Sequence, residues 1–157
     1  MTAELLLDNE DQKPKGHRRV ARELALKGIY QWRVAGGSAS FIVEQLRDTD
    51  EFSQSDKRYF FRLLEGVLGD INSLEEHIQP CLDRPLKELS PVEFAILLLS
   101  TYELKCHLEI PYRAIINEAI ELARSYGGSD GHKYVNGVLD KLANQLRVAE
   151  IASKKQQ

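Results

Sequence analysis

The chain has 157 residues, of which 43% are hydrophobic and 29% are charged. These values are typical of a soluble globular protein of one domain, and a chain of this length needs neither disulfides nor a metal to hold its core. The net charge of −3, taken as one number, argues against a protein that binds polyanions over its whole surface.

The N-terminal third of the chain predicts a tail followed by two helices. Residues 1–15 are polar and poorly patterned, which indicates a flexible tail. Apolar residues recur at helical spacing over about 17–35, and Gly36–Gly37 should end this first helix because glycine accepts the left-handed conformation of a helix C-terminus. Ser38 or Ser40 can cap a second helix that continues to about residue 50.

The middle of the chain predicts two further helices and one strong helix start. A third helix begins after Asp56, and Asn72 or Ser73 allows a break before a fourth helix that continues to Leu82. Ser90-Pro91-Val92-Glu93 then combines a cap, a proline at the first helical position and the glutamate of a capping box. The helix that follows, about 91–107, is apolar on nearly every side, as expected for a central buried helix.

Two more helices complete the predicted fold. Pro111 opens a helix to about residue 126 that Gly127–Gly128 ends, and Ser129 or Asp130 caps a last helix over about 130–147. The polar residues 149–157 are expected to form a second flexible tail. The predicted fold class is all-α, with about seven helices in two packed sub-bundles divided near residues 80–90, in a single domain over residues 16–148.

Charge is segregated along the chain although its sum is small. Residues 1–12 carry a charge of −4, residues 13–33 a charge of +6, residues 34–93 a charge of −6 and residues 94–157 a charge of +1. This asymmetry suggests two partner surfaces of opposite sign, and the alternative is an ordinary solvated helix face.

No arrangement of residues supports catalysis or metal binding. Cys106 and His107 are neighbours, so on a helix they point about 100° apart and cannot pair as nucleophile and base. His77 and Cys81 are too few ligands for zinc, and residues 127–133 lack the spacing of a phosphate-binding P-loop. The sequence therefore predicts no enzyme, no metal and no cofactor, and it predicts free, buried thiols in a cytoplasmic protein without a membrane span.

The first helix combines bases and an aromatic ring on the side opposite its apolar face. Single-stranded RNA needs such a pairing, with cations for the phosphates and a flat ring on which a base stacks for roughly 1–3 kcal/mol. The alternative is a solubilising face with a half-packed tyrosine at its edge. The candidate RNA-binding residues of this basic stripe are Arg18, Arg19, Arg22, Lys27 and Tyr30.

The start of the last helix is a second candidate for RNA binding. Free backbone N–H groups at a helix start attract phosphate, and Lys133 adds charge beside Asp130 and Tyr134. These three residues form the helix-start turn, for which a plain capped helix start is the alternative. Glu88 and Glu93 flank the start of the central helix, where Glu93 either closes the capping box or meets a basic protein partner.

Several segments closely resemble the bacterial NusB family of transcription antitermination factors. The most specific are Asn117–Ala123 (NEAIELA) and His132–Asp140 (HKYVNGVLD), which flank the glycine-rich turn. The first helix from Arg18 to Trp32 is also similar to the start of that family, as is Val92-Glu93 leading to Tyr102-Glu103-Leu104.

The resemblance covers about residues 17–147 and implies an all-α fold of two three-helix sub-bundles. It implies a protein that binds the boxA segment of nascent RNA together with NusE, a small-subunit ribosomal protein. That complex helps RNA polymerase resist termination on ribosomal RNA operons. The expected partners are therefore boxA RNA, NusE and the RNA polymerase antitermination complex, for a chain that is a monomer or a weak homodimer. The alternatives are a protein-interaction bundle or the NusB-like domain of an RNA methyltransferase system.

The resemblance also implies roles for the candidate residues. The basic stripe, Lys27 excepted, matches the basic start and the aromatic residue of the family, and the helix-start turn matches its second RNA-binding segment. Glu93 matches an acidic position at the NusE surface, and Glu88 is a weaker match there.

Overall fold

The computed structural model describes residues 14–155, with side chains for residues 16–154, so that most of the predicted N-terminal tail lies outside the described residues. The described residues form helices, turns and loops, with no strand among them, which confirms the all-α fold class. The chain divides into two compact units, Met1–Gly66 and Val67–Gln157. The boundary lies inside the helix Lys57–Leu68, so the predicted division near residues 80–90 is wrong. The sequence did not reveal the boundary because the helix continues through it without a break.

The described part of the first unit, from residue 14 onward, contains three helices and most of a fourth. Gly36 and Gly37 have φ angles of 75° and 109°, which confirms the predicted left-handed end of the first helix. The predicted second helix stops earlier than residue 50, because Thr49 Oγ1 accepts a hydrogen bond from Phe52 N–H and caps a separate short helix. The helices are α1 (Pro14–Ala35), α2 (Ala39–Arg47), α3 (Asp50–Gln54) and α4 (Lys57–Leu68).

A close helix approach defines the core of this unit. Leu24 and Ile29 on the apolar face of α1 are fully buried. A Cβ atom at Gly28 would lie 2.9 Å from Cδ1 of Leu64 on α4 and 3.2 Å from Cγ2 of Ile42 on α2. Glycine at this position therefore lets α1 pack against both neighbouring helices at once.

Up to residue 155, the second unit contains the end of α4, five more helices and two short 3₁₀ turns. The break after α4 lies at Gly69–Asp70, a few residues before the predicted Asn72 or Ser73. The fourth predicted helix also ends earlier than Leu82, and a 3₁₀ turn at Gln79–Cys81 follows it. The helices are α5 (Ile71–Ile78), α6 (Pro91–Cys106), α7 (Tyr112–Tyr126), α8 (Gly131–Leu146) and α9 (Val148–Lys155), and the second 3₁₀ turn is Leu86–Glu88.

Helix α6 has the central, buried position that its composition predicts. Ser90 Oγ accepts a hydrogen bond from Glu93 N–H at 3.1 Å, and Pro91 occupies the first helical position. Every residue from Phe94 to Leu99 is buried. The predicted Ser90-Pro91 helix start and the buried central helix are thus both confirmed.

The chain after α8 differs from the prediction, since residues 148–155 form α9 rather than a frayed tail. The cause is Arg147, which is only 4% exposed. Its guanidinium donates to four backbone carbonyl oxygens. These belong to Leu104 at 2.7 Å, His107 at 2.9 Å, Ile110 at 2.9 Å and Glu103 at 3.3 Å. One side chain thereby binds four carbonyl oxygens at the end of α6 and just beyond it, where the regular helical hydrogen bonds end.

Glu150 connects this arginine to a second helix end. Its Oε1 accepts from Arg147 Nη1 at 2.5 Å, and its Oε2 accepts from the backbone N–H of Tyr112 at 3.0 Å. Pro111 precedes Tyr112 and has no side chain that can cap α7. Glu150 supplies the missing cap, and Arg147 and Glu150 together fix the first turn of α9.

Replacing Arg147 should strongly destabilise the protein. Arg147→Met removes a charged donor from four carbonyl oxygens and from the Glu150 carboxylate, and we expect a loss of about 3–5 kcal/mol in the free energy of unfolding. The matched control is Arg113→Met, whose side chain is 59% exposed and lies 4.0 Å from Asp140. Its loss should stay within about 1 kcal/mol. Urea unfolding followed by circular dichroism measures both, and equal losses would contradict the assigned role of Arg147.

The Glu150 carboxylate should make stability depend on acid pH. Partial burial raises its pKa, but the Tyr112 N–H and Arg147 outweigh this and hold the pKa below its ordinary value of 4.5. A depressed pKa means that the stabilisation is complete above about pH 4.5 and is lost as the pH falls through the folded-state pKa. Glu150→Gln should therefore be less stable than wild type at pH 7, and the gap in urea unfolding should narrow toward pH 3. A gap that does not change with pH would contradict this assignment.

Candidate nucleic-acid interface

The basic stripe lies on α1 in the first unit, but its members differ in exposure. Arg18 and Arg19 are exposed near the start of the helix, and Tyr30 is 41% exposed further along it. Lys27 is half-buried and forms an ion pair with Glu51 of α3. An RNA phosphate at Lys27 would thus compete with a carboxylate of the protein.

The prediction that Arg22 belongs to the exposed stripe is wrong. Arg22 is 7% exposed, and its Nη2 donates to the hydroxyl oxygen of Tyr59 on α4 at 3.4 Å. On the helical wheel Arg22 falls about 20° beyond the apolar arc. Helix α4 packs over slightly more of α1 than this apolar arc. Its Tyr59 therefore covers Arg22.

Tyr59 is the residue of this surface that the sequence analysis missed. Its ring is buried and lies beneath the guanidinium of Arg18, whose Cζ is 4.7 Å from the ring centroid. The Cζ atom of Arg22 lies 5.4 Å from the same centroid. Arg18 Nε also lies 4.0 Å from Oδ2 of Asp56. Cation–π contacts therefore hold Arg18 in place. The separation of 37 residues between Arg22 and Tyr59 leaves no local sequence signal for this contact.

The start of α1 is fastened to the loop between α3 and α4. The backbone N–H of Asp56 donates to the carbonyl oxygen of His17 at 3.0 Å, and His17 Nδ1 lies 2.6 Å from the carbonyl oxygen of Gln54. Arg18 and Arg19 therefore project from an anchored helix turn.

The helix-start turn lies in the second unit and presents two exposed charges. Lys133 Nζ is 3.7 Å from Oδ1 of Asp130, and both side chains are mostly exposed. An ion pair of this kind contributes little to stability, so either partner can exchange it for a ligand. Asp130 occupies the predicted cap position of α8 but its side chain makes no capping hydrogen bond.

Tyr134 is part of a cluster that the sequence analysis did not predict. Its hydroxyl donates to Oδ1 of Asp83 at 3.1 Å, and Arg84 Cζ lies 4.3 Å from the centroid of its ring. The hydrogen bond from Arg84 holds the pKa of Asp83 below its usual range. Burial, with the contact to Asp83, raises the pKa of Tyr134, so its hydroxyl remains a donor at neutral pH.

The two predicted partner-binding acids differ in their surroundings. Glu88 is exposed in the second 3₁₀ turn. Glu93 packs at the start of α8, where its Oε1 would lie 3.8 Å from a Cβ atom at Gly131. Glu93, a predicted NusE contact, therefore lies beside the helix-start turn. The two are some 40 residues apart in the sequence, so no local sequence pattern indicates that they are neighbours. Both assignments stay predictions.

The described part of the chain also bears on the predicted state of the thiols, on metal binding and on a membrane span. Both cysteines are free, but only Cys81 is buried and Cys106 is exposed, so the expectation of two buried thiols is half wrong. Among residues 14–155 no group of three or more histidine, cysteine or acidic side chains is placed to hold a metal ion. No helix in the same range is long and apolar enough to cross a membrane.

These features define an all-α protein with cationic and aromatic groups on each of its two units. The family model that matches residues 19–144 is that of the NusB family, and the chain belongs to this family. The resemblance seen in the sequence motifs is thereby confirmed.

Similar proteins and solved structures agree with this family. The chain is 68% identical over 133 residues to the transcription antitermination protein NusB of Nitrosospira multiformis, covering 85% of this chain and 84% of that protein. It is 63% identical to the protein of the same name from Nitrosomonas eutropha, covering 88% and 83%.

Two solved structures show the same fold. The structure of T. maritima NusB superposes with a TM-score of 0.72 at 32% identity, covering 81% of this chain and 90% of that one. A structure of antitermination factors NusB and NusE in complex with dsRNA has a TM-score of 0.71 at 21% identity, covering 82% and 97%. The second likeness concerns the fold alone.

The different environments of Arg19 and Arg22 predict different effects of their removal. Arg22→Ala deletes a buried guanidinium and should lower the free energy of unfolding by about 2–4 kcal/mol. Arg19→Ala removes an exposed side chain and should change it by less than about 1 kcal/mol. Urea unfolding of the two variants measures the difference, and equal stability would contradict the burial of Arg22.

Proposed function

We propose that this chain is a non-catalytic RNA-binding antitermination factor that binds boxA RNA jointly with NusE. In this role it helps RNA polymerase resist termination on ribosomal RNA operons. The observation that carries the proposal is membership of the NusB family, with close relatives named as transcription antitermination proteins. A solved structure of this fold contains the antitermination factors NusB and NusE in complex with dsRNA, which supports NusE and RNA as partners.

The RNA contacts are proposed separately for each unit. In the first unit, Arg18 and Arg19 supply cations at the anchored start of α1, and Tyr30 supplies an exposed ring for stacking. Lys27 contributes only where a phosphate displaces Glu51. Arg22 supports this surface from below, through Tyr59, rather than by touching RNA.

In the second unit, Lys133 offers a cation at the start of α8, where the positive end of the helix dipole also favours phosphate. Asp130 repels phosphate but can accept a hydrogen bond from a base or a ribose hydroxyl. Phosphate contacts of this kind fix the position of the RNA, and contacts to base edges and faces choose its sequence.

The acidic residues suit a basic protein partner. Residues 34–93 carry a net charge of −6, and exposed Glu88 and half-buried Glu93 both belong to this segment. A ribosomal protein such as NusE carries the complementary charge. Because the whole chain is negative, RNA binding alone should be weak, and joint binding should add a favourable coupling free energy of about 1–3 kcal/mol.

RNA binding can be separated from folding with a double variant. Arg19→Ala/Tyr30→Ala removes one cation and one stacking ring, and we expect boxA affinity in the presence of NusE to fall at least tenfold. The helical circular dichroism signal should not change, since both side chains are exposed. Fluorescence anisotropy of boxA RNA and of a scrambled RNA, with and without NusE, measures the effect. Equal affinity of the wild-type complex for both RNAs would exclude sequence-specific boxA recognition.

A further inference from the structure

Arg84 is held between an acid and an aromatic ring on the surface of the second unit. Its Nε donates to Oδ1 of Asp83 at 2.8 Å, and its Nη2 donates to Oδ2 at 3.4 Å. Its Cζ lies 4.3 Å from the centroid of the Tyr134 ring, and the Tyr134 hydroxyl donates to the same Asp83 oxygen. The side chain nevertheless remains 43% exposed. An exposed arginine has thus already lost the rotamer freedom that ligand binding would cost it.

This arrangement changes what Tyr134 can offer to RNA. Arg84 covers one face of the ring, so a base cannot stack directly on that face. A guanidinium is planar and stacks on RNA bases much as an aromatic ring does. A base that approaches Tyr134 from this side therefore meets the outer face of Arg84 first.

The charges favour a base over a phosphate at this position. The carboxylate of Asp83 neutralises Arg84, so the pair attracts phosphate weakly. Asp83 occupies the Nε edge, but Nη1 keeps its N–H groups for the edge of a base. The neighbouring Lys133 carries the exposed ammonium group that suits a phosphate.

We propose that Arg84 is a further RNA-contacting residue, whose outer guanidinium face stacks on an unpaired base of the RNA. Asp83 is its positioning residue, which holds the guanidinium over the Tyr134 ring. This inference rests on the proposed function, because it concerns the same RNA.

The first test replaces the planar group and keeps its charge. Arg84→Lys should weaken boxA binding in the presence of NusE by about fivefold to a hundredfold, because a base loses its stacking surface. The control is Arg113→Lys, since Arg113 also lies over a tyrosine ring, 5.1 Å from the centroid of Tyr112, and near an acid. The control should bind as wild type does. Wild-type affinity of Arg84→Lys, or an equal loss in the control, overturns the inference.

Salt dependence distinguishes a stacked base from a phosphate contact. For Arg84→Ala, the slope of log affinity against log salt concentration should equal that of wild type. A phosphate contact would instead reduce its magnitude by about 0.7. That reduction would overturn the stacking assignment.

The role of Asp83 has its own readout. Asp83→Asn removes the charge that neutralises Arg84, so the salt slope should steepen by about 0.7 as the freed cation meets phosphate. Discrimination between boxA and scrambled RNA should fall at least threefold. A variant with unchanged slope and unchanged discrimination overturns the positioning role.

The outcomes separate this inference from the proposed function. If the wild-type complex does not distinguish boxA from scrambled RNA, the proposed function fails. If it does distinguish them and the Arg84 and Asp83 variants behave as wild type, only the inference fails. Anisotropy titrations of the intact chain with NusE at three salt concentrations give all of these results.

Discussion

The second unit depends on one buried guanidinium. Arg147 donates to four carbonyl oxygens around the end of α6 and to Glu150, which in turn caps α7. A buried charge is stable only when its hydrogen bonds are satisfied, so these partners must all be present together. The central helix, the start of α7 and the helix α9 are therefore parts of one hydrogen-bonded arrangement. The helix-start turn of α8 belongs to the unit that this arrangement stabilises.

Local chemistry made much of the fold predictable. Ser90-Pro91 and Gly36–Gly37 mark helix ends through the conformations that their residues prefer, and both ends lie where the sequence predicts. The short helices α3 and α9 were not predicted, because a single threonine cap and a pair of charges carry little periodic signal. The boundary between the units was wrong for a similar reason, since α4 continues through it without a break.

The candidate site was predictable only where exposure follows helical periodicity. Arg19 and Tyr30 lie on the exposed side of α1 as the helical wheel predicts. Arg22 does not, because tertiary packing by Tyr59 decides its burial. The cluster of Asp83, Arg84 and Tyr134 joins residues 51 positions apart, and a motif search sees only the tyrosine. Family resemblance found the segments that matter but not the contacts that orient their side chains.

The position of Glu150 affects how the chain can be shortened. Polarity alone places a domain end near residue 148, and a protein cut there would keep Arg147 while losing its carboxylate partner. Such a fragment would retain every residue that matches the NusB family model, which ends at 144, yet its α7 would begin without a cap. The last helix is thus a structural part of the unit, and a tag fused to the chain needs a linker that begins beyond it.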